Sequence, residues 1–544
     1  MVGLSMVQDQ ERYPKPAKLR HTDREYIAKI RSKVTDTTRT SPILAFLPTF
    51  GEILLMITMA SAFLTQEGPS RFLGDGDTGT HLRTGQLILA SGSVPTTDQY
   101  SFSRTGRPWY AWEWMWDVAF AKINAWGGLT TVALVTLAVL CLTFYWLYRH
   151  SLSRSGNPVL AVMVTGLCMI ESSNHWLARP HLFTFLFLVF AIWWIEKSRG
   201  ASPLRLLVLP LLTMVWANVH GGFLILVLIL ASYSAGALLR ALTNEDRTNR
   251  KADLLSGATY AATTAGCLLA SLANPYGVSL LTHIVTYLQE PTLRARTSEF
   301  QLPNLTRIPL MALFSLDLLA ILWFAVRKQY EYCLLIGGTA WMALGIVRHI
   351  SVHSVVCAPF LAEAAIAWAV AGATRLPRWP FGEVLTSLME SGDELKSMRT
   401  SWRSFALPAV FALLLISGCI LKVSPRFEAS FIPQRFPVKA IEFLKTQPGP
   451  LSIFSDDETG DYVIYSLFPK AHVFIDGRLD FYGSAIFPEY DQLTLASHGW
   501  QRTLDRYRVN ALVLEKKLKL TAAVREDSRW SKVHEDDRYV VFRR

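Results

Sequence analysis

The stretch GLTTVALVTLAVLCLTFYWLY, residues 128–148, holds 21 consecutive residues without a charged side chain. A helix of about 20 apolar residues can cross the hydrocarbon core of a bilayer, so this stretch predicts a transmembrane helix. Short polar breaks separate it from further apolar runs at 43–64, 158–174, 181–196, 205–219, 221–240, 254–272, 308–326, 332–347, 352–372 and 404–422. We therefore predict a polytopic α-helical membrane protein with about 11 transmembrane helices.

The composition favours a membrane protein over other classes. Charged residues make up 18% of the chain and hydrophobic residues 51%, whereas soluble domains average about 25% charged residues. The net charge of +11 comes from Lys and Arg in short loops between the apolar runs, which is where membrane orientation places them, so we expect no nucleic-acid partner. The six cysteines lie in or beside apolar runs without a CxxC pair, which predicts no disulfide and no thiolate metal site.

The basic loops also predict the orientation of the chain. Lys and Arg are concentrated in the N-terminal arm, 1–42, in the stretch 374–403 and in every second short loop between them. By the positive-inside rule these segments are cytoplasmic. The arm is polar and basic, so no cleavable signal peptide is expected. An odd number of spans within the module 43–422 then places residues 423–544 outside, and we expect a multi-pass protein of the inner (plasma) membrane.

The C-terminal residues 423–544 differ in kind from the apolar module. Short helices are predicted near 437–446 and 460–467 and over 488–507, and strands near 451–454, 472–475, 510–515, 531–534 and 538–543. This alternation predicts an extracytoplasmic α/β domain of about 120 residues, a normal domain size.

The first predicted outer loop, 65–127, carries an unusual set of ionisable residues. They are Asp75, Asp77, His81, Asp98 and Glu113. Asp77 and His81 are four residues apart and share a face if the segment is helical. A simpler alternative is that an aspartate here caps a helix. The Trp-rich segment 107–120 is typical of an interfacial anchor, but an anchor does not explain Glu113 within it.

More polar groups stand at the predicted outer ends of other helices. Arg179 and His181, in ARPHLF, either contact lipid phosphate or bind a substrate phosphate, which a guanidinium does bidentately. His220, in NVHGGF, is either a packed residue or a ligand. Arg348, in RHISVHS with His349 and His353, is a further candidate cation. Since these groups lie on one predicted side of the membrane, we expect them to share a cavity.

The tail contributes the motif FIDGRLDFYG, which contains Asp476, Gly477, Arg478 and Asp480. A strand followed by Asp-Gly first indicates a turn, here ordered by an internal Asp–Arg pair. The tail has no GxGxxG opening after any of its predicted strands, and the chain has no P-loop, HExxH or GxSxG motif, so we expect neither a nucleotide-binding fold nor a serine-hydrolase elbow.

With these residues in view, the chain resembles membrane glycosyltransferases of the GT-C superfamily. More narrowly, it resembles bacterial proteins related to dolichyl-phosphate-mannose protein mannosyltransferases. The resemblance covers essentially the whole chain and is carried by GDTGTHLRTG with Asp77, SVPTTDQYSFSRTGRPWYAWEW, Arg179-Pro180-His181, NVHGG at 218–222, NPYG at 274–277 and VFIDGRLDFYG. The acidic residues Asp75 and Asp77 are separated by a glycine, whereas better-studied branches often have adjacent acids.

The resemblance implies transfer of a sugar from a polyprenyl-phosphate lipid to an acceptor glycan, lipid or protein at the outer membrane surface. It implies a carboxylate base, here Asp77, with Asp75 as the second candidate. Glu113 is a further catalytic residue that, with His81, would orient the acceptor or a divalent cation. Substrate-binding residues would be His81, Asp98, Arg179, His181, His220 and Arg348. No metal is required, although Mg²⁺ or Mn²⁺ would suit oxygen ligands. The alternatives are a transporter or flippase for lipid-linked sugars and a non-catalytic assembly component.

Overall fold

The structure is a computed structural model that describes residues 46–290, 295–375, 379–397 and 402–544. The predicted cytoplasmic arm, 1–42, lies outside the described residues, as does the start of the span predicted at 43–64.

Helices make up the first three quarters of the described chain. In chain order they are α1 (Phe50–Ser61), α2 (Asp77–Ser91), α3 (Trp114–Ser155), α4 (Pro158–Ser172), α5 (His181–Ser198), α6 (Val208–Trp216), α7 (Leu224–Thr243), α8 (Arg247–Ala270), α9 (Val278–Gln289), α10 (Ile308–Val326), α11 (Tyr330–Gly345), α12 (Arg348–Arg375), α13 (Pro380–Ser397) and α14 (Ala406–Ile420).

Within the described residues, six helical segments are long and apolar enough to cross a membrane. They are Trp114–Ser155, His181–Ser198, Gly221–Thr243, Ile308–Val326, Arg348–Arg375 and Arg403–Ile420. The predicted count of about 11 spans is therefore not confirmed. The helices α4 and α11 have 15 and 16 residues, which is short of a span of about 30 Å at about 1.5 Å per residue. The longer α8 begins with a charged run, RTNRKAD.

A kink divides α3 into two helices with different surroundings. Gly127 and Gly128 have non-helical backbone angles, and Gly128 has φ +68°, a left-handed value that favours glycine. The part after the kink contains the apolar stretch that begins at residue 129. The part before it continues the Trp-rich segment, in which Trp116 is buried in the protein and Trp126 is 86% exposed. Trp116 is therefore not an interfacial anchor, whereas Trp126 has the exposure that an anchor needs.

The C-terminal unit is built around one five-stranded sheet. Its helices are α15 (Val438–Thr446), α16 (Asp457–Leu467), α17 (Leu479–Tyr482), α18 (Phe487–Thr494), α19 (Trp500–Arg506) and α20 (Lys519–Arg525), and its strands are β1 (Leu451–Phe454), β2 (Ala471–Val473), β3 (Ala511–Glu515), β4 (Ser531–Glu535) and β5 (Tyr539–Arg543). The strand order is β2-β1-β3-β5-β4, with β1 parallel to β2 and β3 and β5 antiparallel to β3 and β4. The strands predicted from the sequence are confirmed to within two residues.

The first outer loop holds the C-terminal unit against the helices. Ser101 forms a parallel bridge with Val473, and the N–H of Phe102 donates to the Val473 carbonyl at 3.0 Å. The loop thus covers the edge of the sheet at β2, which would otherwise present unpaired backbone groups. This contact brings the segment 476–480 next to the start of α2.

Candidate active site

A cavity of about 500 Å³ lies where the predicted outer helix ends meet the C-terminal unit. The candidate site residues that line it are Asp77, His81, Glu113, Arg179, His181, His220 and Arg348. These residues come from α2, α3, α5, α7 and α12 or from the segments just before them. The expectation that they share one cavity is therefore met for seven of the nine residues singled out from the sequence; the other two are Asp75 and Asp98.

The two aspartates before and at the start of α2 have different surroundings. Asp75 accepts a hydrogen bond from the backbone N–H of Asp77 at 2.9 Å. It does so from just before the N-cap residue, which is Gly76, so neither aspartate is the N-cap of α2. Asp77 is the first residue of α2 and lines the cavity. Both carboxylates pair with Arg179, at 2.7 Å from Asp75 and 2.5 Å from Asp77. Asp75 is not among the lining residues and reaches the cavity only through Arg179.

A carboxyl from the C-terminal unit, Asp461, stands beside Asp77. It accepts hydrogen bonds from the Thr80 hydroxyl at 2.7 Å and from the backbone N–H of Gly477 at 3.1 Å. A Cβ at Gly477 would collide with Oδ1 of Asp77 and Oδ2 of Asp461, so the three groups are in close contact. Burial raises the pKa of Asp77, with Arg179 acting in the opposite direction. Burial and the Asp77 carboxyl raise the pKa of Asp461 well above its usual range.

Sequence reasoning missed Asp461. Its only signal is its position in the acidic segment SDDETGD, which follows directly after the strand β1. Carboxyl ends of strands often carry functional residues, but the contact with α2 depends on docking across more than 380 residues of sequence. The sequence pattern alone does not give this contact.

Glu113 is the centre of a second group of ionisable side chains. Its Oε2 lies 3.3 Å from Nε2 of His81, whose Nδ1 lies 2.7 Å from Asp117. Its Oε1 lies 3.6 Å from Nε2 of His220. The N–H of Gly222 donates to His220 Nδ1 at 3.0 Å, which places the ring proton of neutral His220 on Nε2, toward Glu113.

The pKa values of Glu113, His81 and His220 are shifted in different directions because the three side chains have different charged neighbours. Burial raises the pKa of Glu113 to about 7, against the opposing effect of His81. Burial alone would favour neutral His81, but Asp117 and then Glu113 outweigh it and raise its pKa to about 9. Burial, with Arg348 and Arg179 nearby, lowers the pKa of His220 well below its usual range. At neutral pH the cavity thus contains a cationic His81 and a neutral His220.

The remaining candidates are partly engaged by the protein itself. His181 lines the cavity, and its Nε2 is 2.8 Å from the carbonyl oxygen of His175, so that nitrogen is not free for a ligand. Arg348 lines the cavity and lies 3.5 Å from Glu299. His349 also lines the cavity.

Besides Asp75, the candidate residue Asp98 does not line the cavity, and neither does His353, which the sequence analysis named beside Arg348. Asp98 is 2% exposed, accepts hydrogen bonds from Tyr100 and Ser101, and pairs with Arg478 at 2.8 Å. It orders the outer loop instead of facing a substrate. His353 is fully buried and lies 2.8 Å from Asp317 of α10, because α12 turns it toward that helix and away from the cavity. Arg478 forms the expected pair with Asp476 and also lines the cavity.

A metal-ligand group of three residues exists elsewhere in the described residues. Asp317, His353 and Cys357 place one ligand atom each within 4.8 Å of one another. His353 directs Nε2 to Asp317 and Nδ1 to Cys357 and Thr339. No cavity residue belongs to such a group in the part of the chain that the structure describes.

The fold can be compared with known proteins. No protein-family model matches the chain, and no curated protein matches it by sequence. The fold is similar to that of the apo oligosaccharyltransferase of Archaeoglobus fulgidus, with a TM-score of 0.52 and 11% identity, over 86% of this chain and 69% of that one. The same enzyme tethered through a disulfide to an acceptor peptide with an NVT sequon gives a TM-score of 0.49 and 10% identity, over 86% and 68%.

The first of these matches shows an oligosaccharyltransferase-like fold, predominantly helical with a small C-terminal sheet. At 11% identity the match shows the fold alone. The six helical segments that are long and apolar enough to cross a membrane agree with the expected integral membrane protein.

Proposed function

We propose that this protein is a membrane glycosyltransferase that transfers a sugar from a polyprenyl-phosphate lipid to an extracytoplasmic acceptor. The observation that carries the proposal is that the cavity has a polar, charged part and an apolar part. Asp77, Glu113, Arg179 and Arg348 line its polar part, and aliphatic side chains continue the wall along α7, namely Leu224, Ile225 and Leu228. A polyprenyl-phosphate sugar has the same division between a charged, hydroxyl-rich head and an apolar chain.

In the proposed reaction, Asp77 is the general base. The acceptor hydroxyl gives its proton to the Asp77 carboxylate while its oxygen attacks the anomeric carbon of the donor sugar. The bond between that carbon and the phosphate oxygen breaks, and the phosphate leaves on its polyprenyl chain. Burial raises the pKa of Asp77, which makes its carboxylate a stronger base than a free aspartate.

Arg179 would stabilise the phosphate as the negative charge develops on the leaving oxygen. It already lies within ion-pair distance of Asp77, so leaving group and base would be held side by side. Arg348 and the protonated His81 would add positive charge on the same cavity wall. Asp75, which is bound to Arg179 and to the backbone N–H of Asp77, would orient the arginine.

Glu113 is the second candidate base in this proposal. Its pKa of about 7 allows it to accept a proton near neutral pH, and His81 and His220 flank it. If the enzyme uses a divalent cation, Mg²⁺ or Mn²⁺ would find oxygen ligands in Asp77 and Asp461. No step above depends on such an ion.

The test is a donor screen with purified full-length protein, synthetic polyprenyl-phosphate sugars and hydroxyl acceptors, read as labelled sugar transfer. Asp77→Asn should abolish transfer while leaving lipid binding and thermal stability close to wild type. Asp537→Asn is the matched control, because the Asp537 side chain is fully exposed.

The proposal fails if no donor gives transfer and Asp77→Asn has no effect in the cell. A lipid-linked sugar transporter would use the same cationic cavity without a base. It would therefore tolerate Asp77→Asn and would move the labelled lipid between leaflets of a vesicle.

A further inference from the structure

Glu299 lies between the two arginines that line the cavity. It belongs to a single 3₁₀ turn, Ser298–Phe300, in the segment between α9 and α10. Its Oε1 is 3.5 Å from Nη1 of Arg179, and its Oε2 is 3.5 Å from Nη1 of Arg348. One carboxylate therefore divides its two oxygens between two guanidinium groups.

This bridging position resembles the way an anionic ligand would bind. A phosphate also offers several oxygens that neighbouring guanidinium groups can share. Strong charge-assisted hydrogen bonds are about 2.7–2.9 Å long, so contacts of 3.5 Å are loose. Glu299 thus occupies the space between the arginines without forming the tightest contacts that they allow.

The charge of Glu299 opposes a second anion in the same place. Burial alone would raise the pKa of Glu299, but Arg348 and Arg179 outweigh it and lower the pKa to about 2. The carboxylate is therefore ionised at neutral pH, and its side chain is 26% exposed. Asp75 and Asp77 already pair with Arg179. A phosphate that approached Arg179 with Glu299 in place would meet uncompensated negative charge.

We propose that Glu299 determines the specificity of the anion site by occupying it until a lipid phosphate displaces it. This inference rests on the proposed function, in which Arg179 and Arg348 bind the donor phosphate. An anion that contacts only one arginine gains too little to displace the carboxylate. A phosphate group, which can bridge both, replaces both contacts at once. Donor affinity is therefore lower than the two arginines alone would give.

The experiment measures binding of farnesyl phosphate, and separately of inorganic phosphate, to full-length protein in nanodiscs by titration calorimetry. Glu299→Gln keeps the shape of the side chain and removes its charge, and it should bind farnesyl phosphate on the order of tenfold more tightly than wild type. Glu299→Ala should change affinity in the same direction. Glu67→Gln is the matched control, because Glu67 is exposed, lies in the first predicted outer loop and does not line the cavity.

The two ligands separate the inference from the proposed function. If both Glu299 variants bind farnesyl phosphate no more tightly than wild type does, the inference about Glu299 is wrong. The proposed lipid donor is unaffected by that result. The variants could instead bind inorganic phosphate more tightly than wild type while no protein binds farnesyl phosphate. That result supports Glu299 as the occupant of the anion site and contradicts the proposed lipid donor. Absence of binding of either ligand by every variant overturns both.

Discussion

Replacing Glu113 with glutamine is expected to stabilise the protein at alkaline pH. Burial raises the pKa of Glu113 from its usual 4.5 to about 7, so the folded state holds this proton more tightly than the unfolded chain. Stability from the protonated carboxyl is therefore complete below about pH 4.5 and is lost as the pH rises through about 7. Above pH 7 the folded protein carries a carboxylate in a place that disfavours it, and glutamine removes that cost.

The size of the effect follows from the pKa difference. A shift from 4.5 to about 7, at about 1.4 kcal/mol per unit, corresponds to about 3 kcal/mol. The side chain is 13% exposed, so solvent screening reduces this only modestly. A chain of 544 residues has an unfolding entropy on the order of 1 kcal/mol/K. The melting temperature of Glu113→Gln should therefore exceed that of wild type by about 3 °C at pH 8 and by almost nothing at pH 4.5.

Differential scanning fluorimetry of both proteins in one detergent, from pH 4.5 to 8.5, measures this difference. Glu67→Gln, an exposed site, should show no pH-dependent difference. His81 has a pKa of about 9 and its own stabilisation is lost at higher pH, so the comparison must be made at each pH with wild type. Two results would contradict this prediction: a lower melting temperature for Glu113→Gln than for wild type at pH 8, or the same difference at pH 4.5 and at pH 8.5. In either case, the buried Glu113 carboxylate does not destabilise the folded protein.

Three further variants test other parts of the structure. Gly477→Ala should reduce sugar transfer at least tenfold with little change in melting temperature, because its Cβ would displace the carboxyl groups of Asp77 and Asp461 and not the backbone. Glu331→Ala should lower the free energy of unfolding by about 1–3 kcal/mol, measured as a lower melting temperature, because it removes the buried carboxylate that Arg199 and Arg240 share. Each arginine keeps one other carboxylate, Glu196 or Asp253. Asp98→Asn should speed proteolysis within residues 92–108 and leave farnesyl phosphate affinity unchanged, because Asp98 pairs with Arg478 and does not line the cavity.

The sequence predicted the strands of the C-terminal unit well because β1, β3 and β5 are short, mainly apolar runs between polar turns. The number of spans was less predictable. Hydropathy detects apolar runs, but α4 and α11 are too short to cross a bilayer unaided, and their burial against other helices is a tertiary property. Trp116 shows the same limit, since a tryptophan in the interfacial segment packs on Phe120 at 4.0 Å inside the protein.

The site was predictable where residues stand at helix ends and unpredictable where contacts join distant segments. Asp77, Arg179 and Arg348 could be found because charged groups beside apolar runs are unusual and lie on one predicted side. The sequence could not show which of Asp75 and Asp77 lines the cavity, because that depends on which carboxylate is turned toward the backbone N–H at the start of α2. Asp98 and His353 were placed with the site because their local pattern matched, although the partners that hold them, Arg478 and Asp317, are far along the chain.

The contact between Gly477, Asp77 and Asp461 shows why the C-terminal unit belongs to the site. Asp461 has hydrogen bonds to Thr80 of α2 and to Gly477 of its own unit, so it joins the two halves of the molecule at the proposed base. Burial that raises the pKa of Asp77 depends on this cover. Without the C-terminal unit, Asp77 would be more exposed to water, and its pKa would return toward that of a free aspartate. In the proposed reaction, the helical module would therefore supply the base, and the C-terminal unit would set its strength.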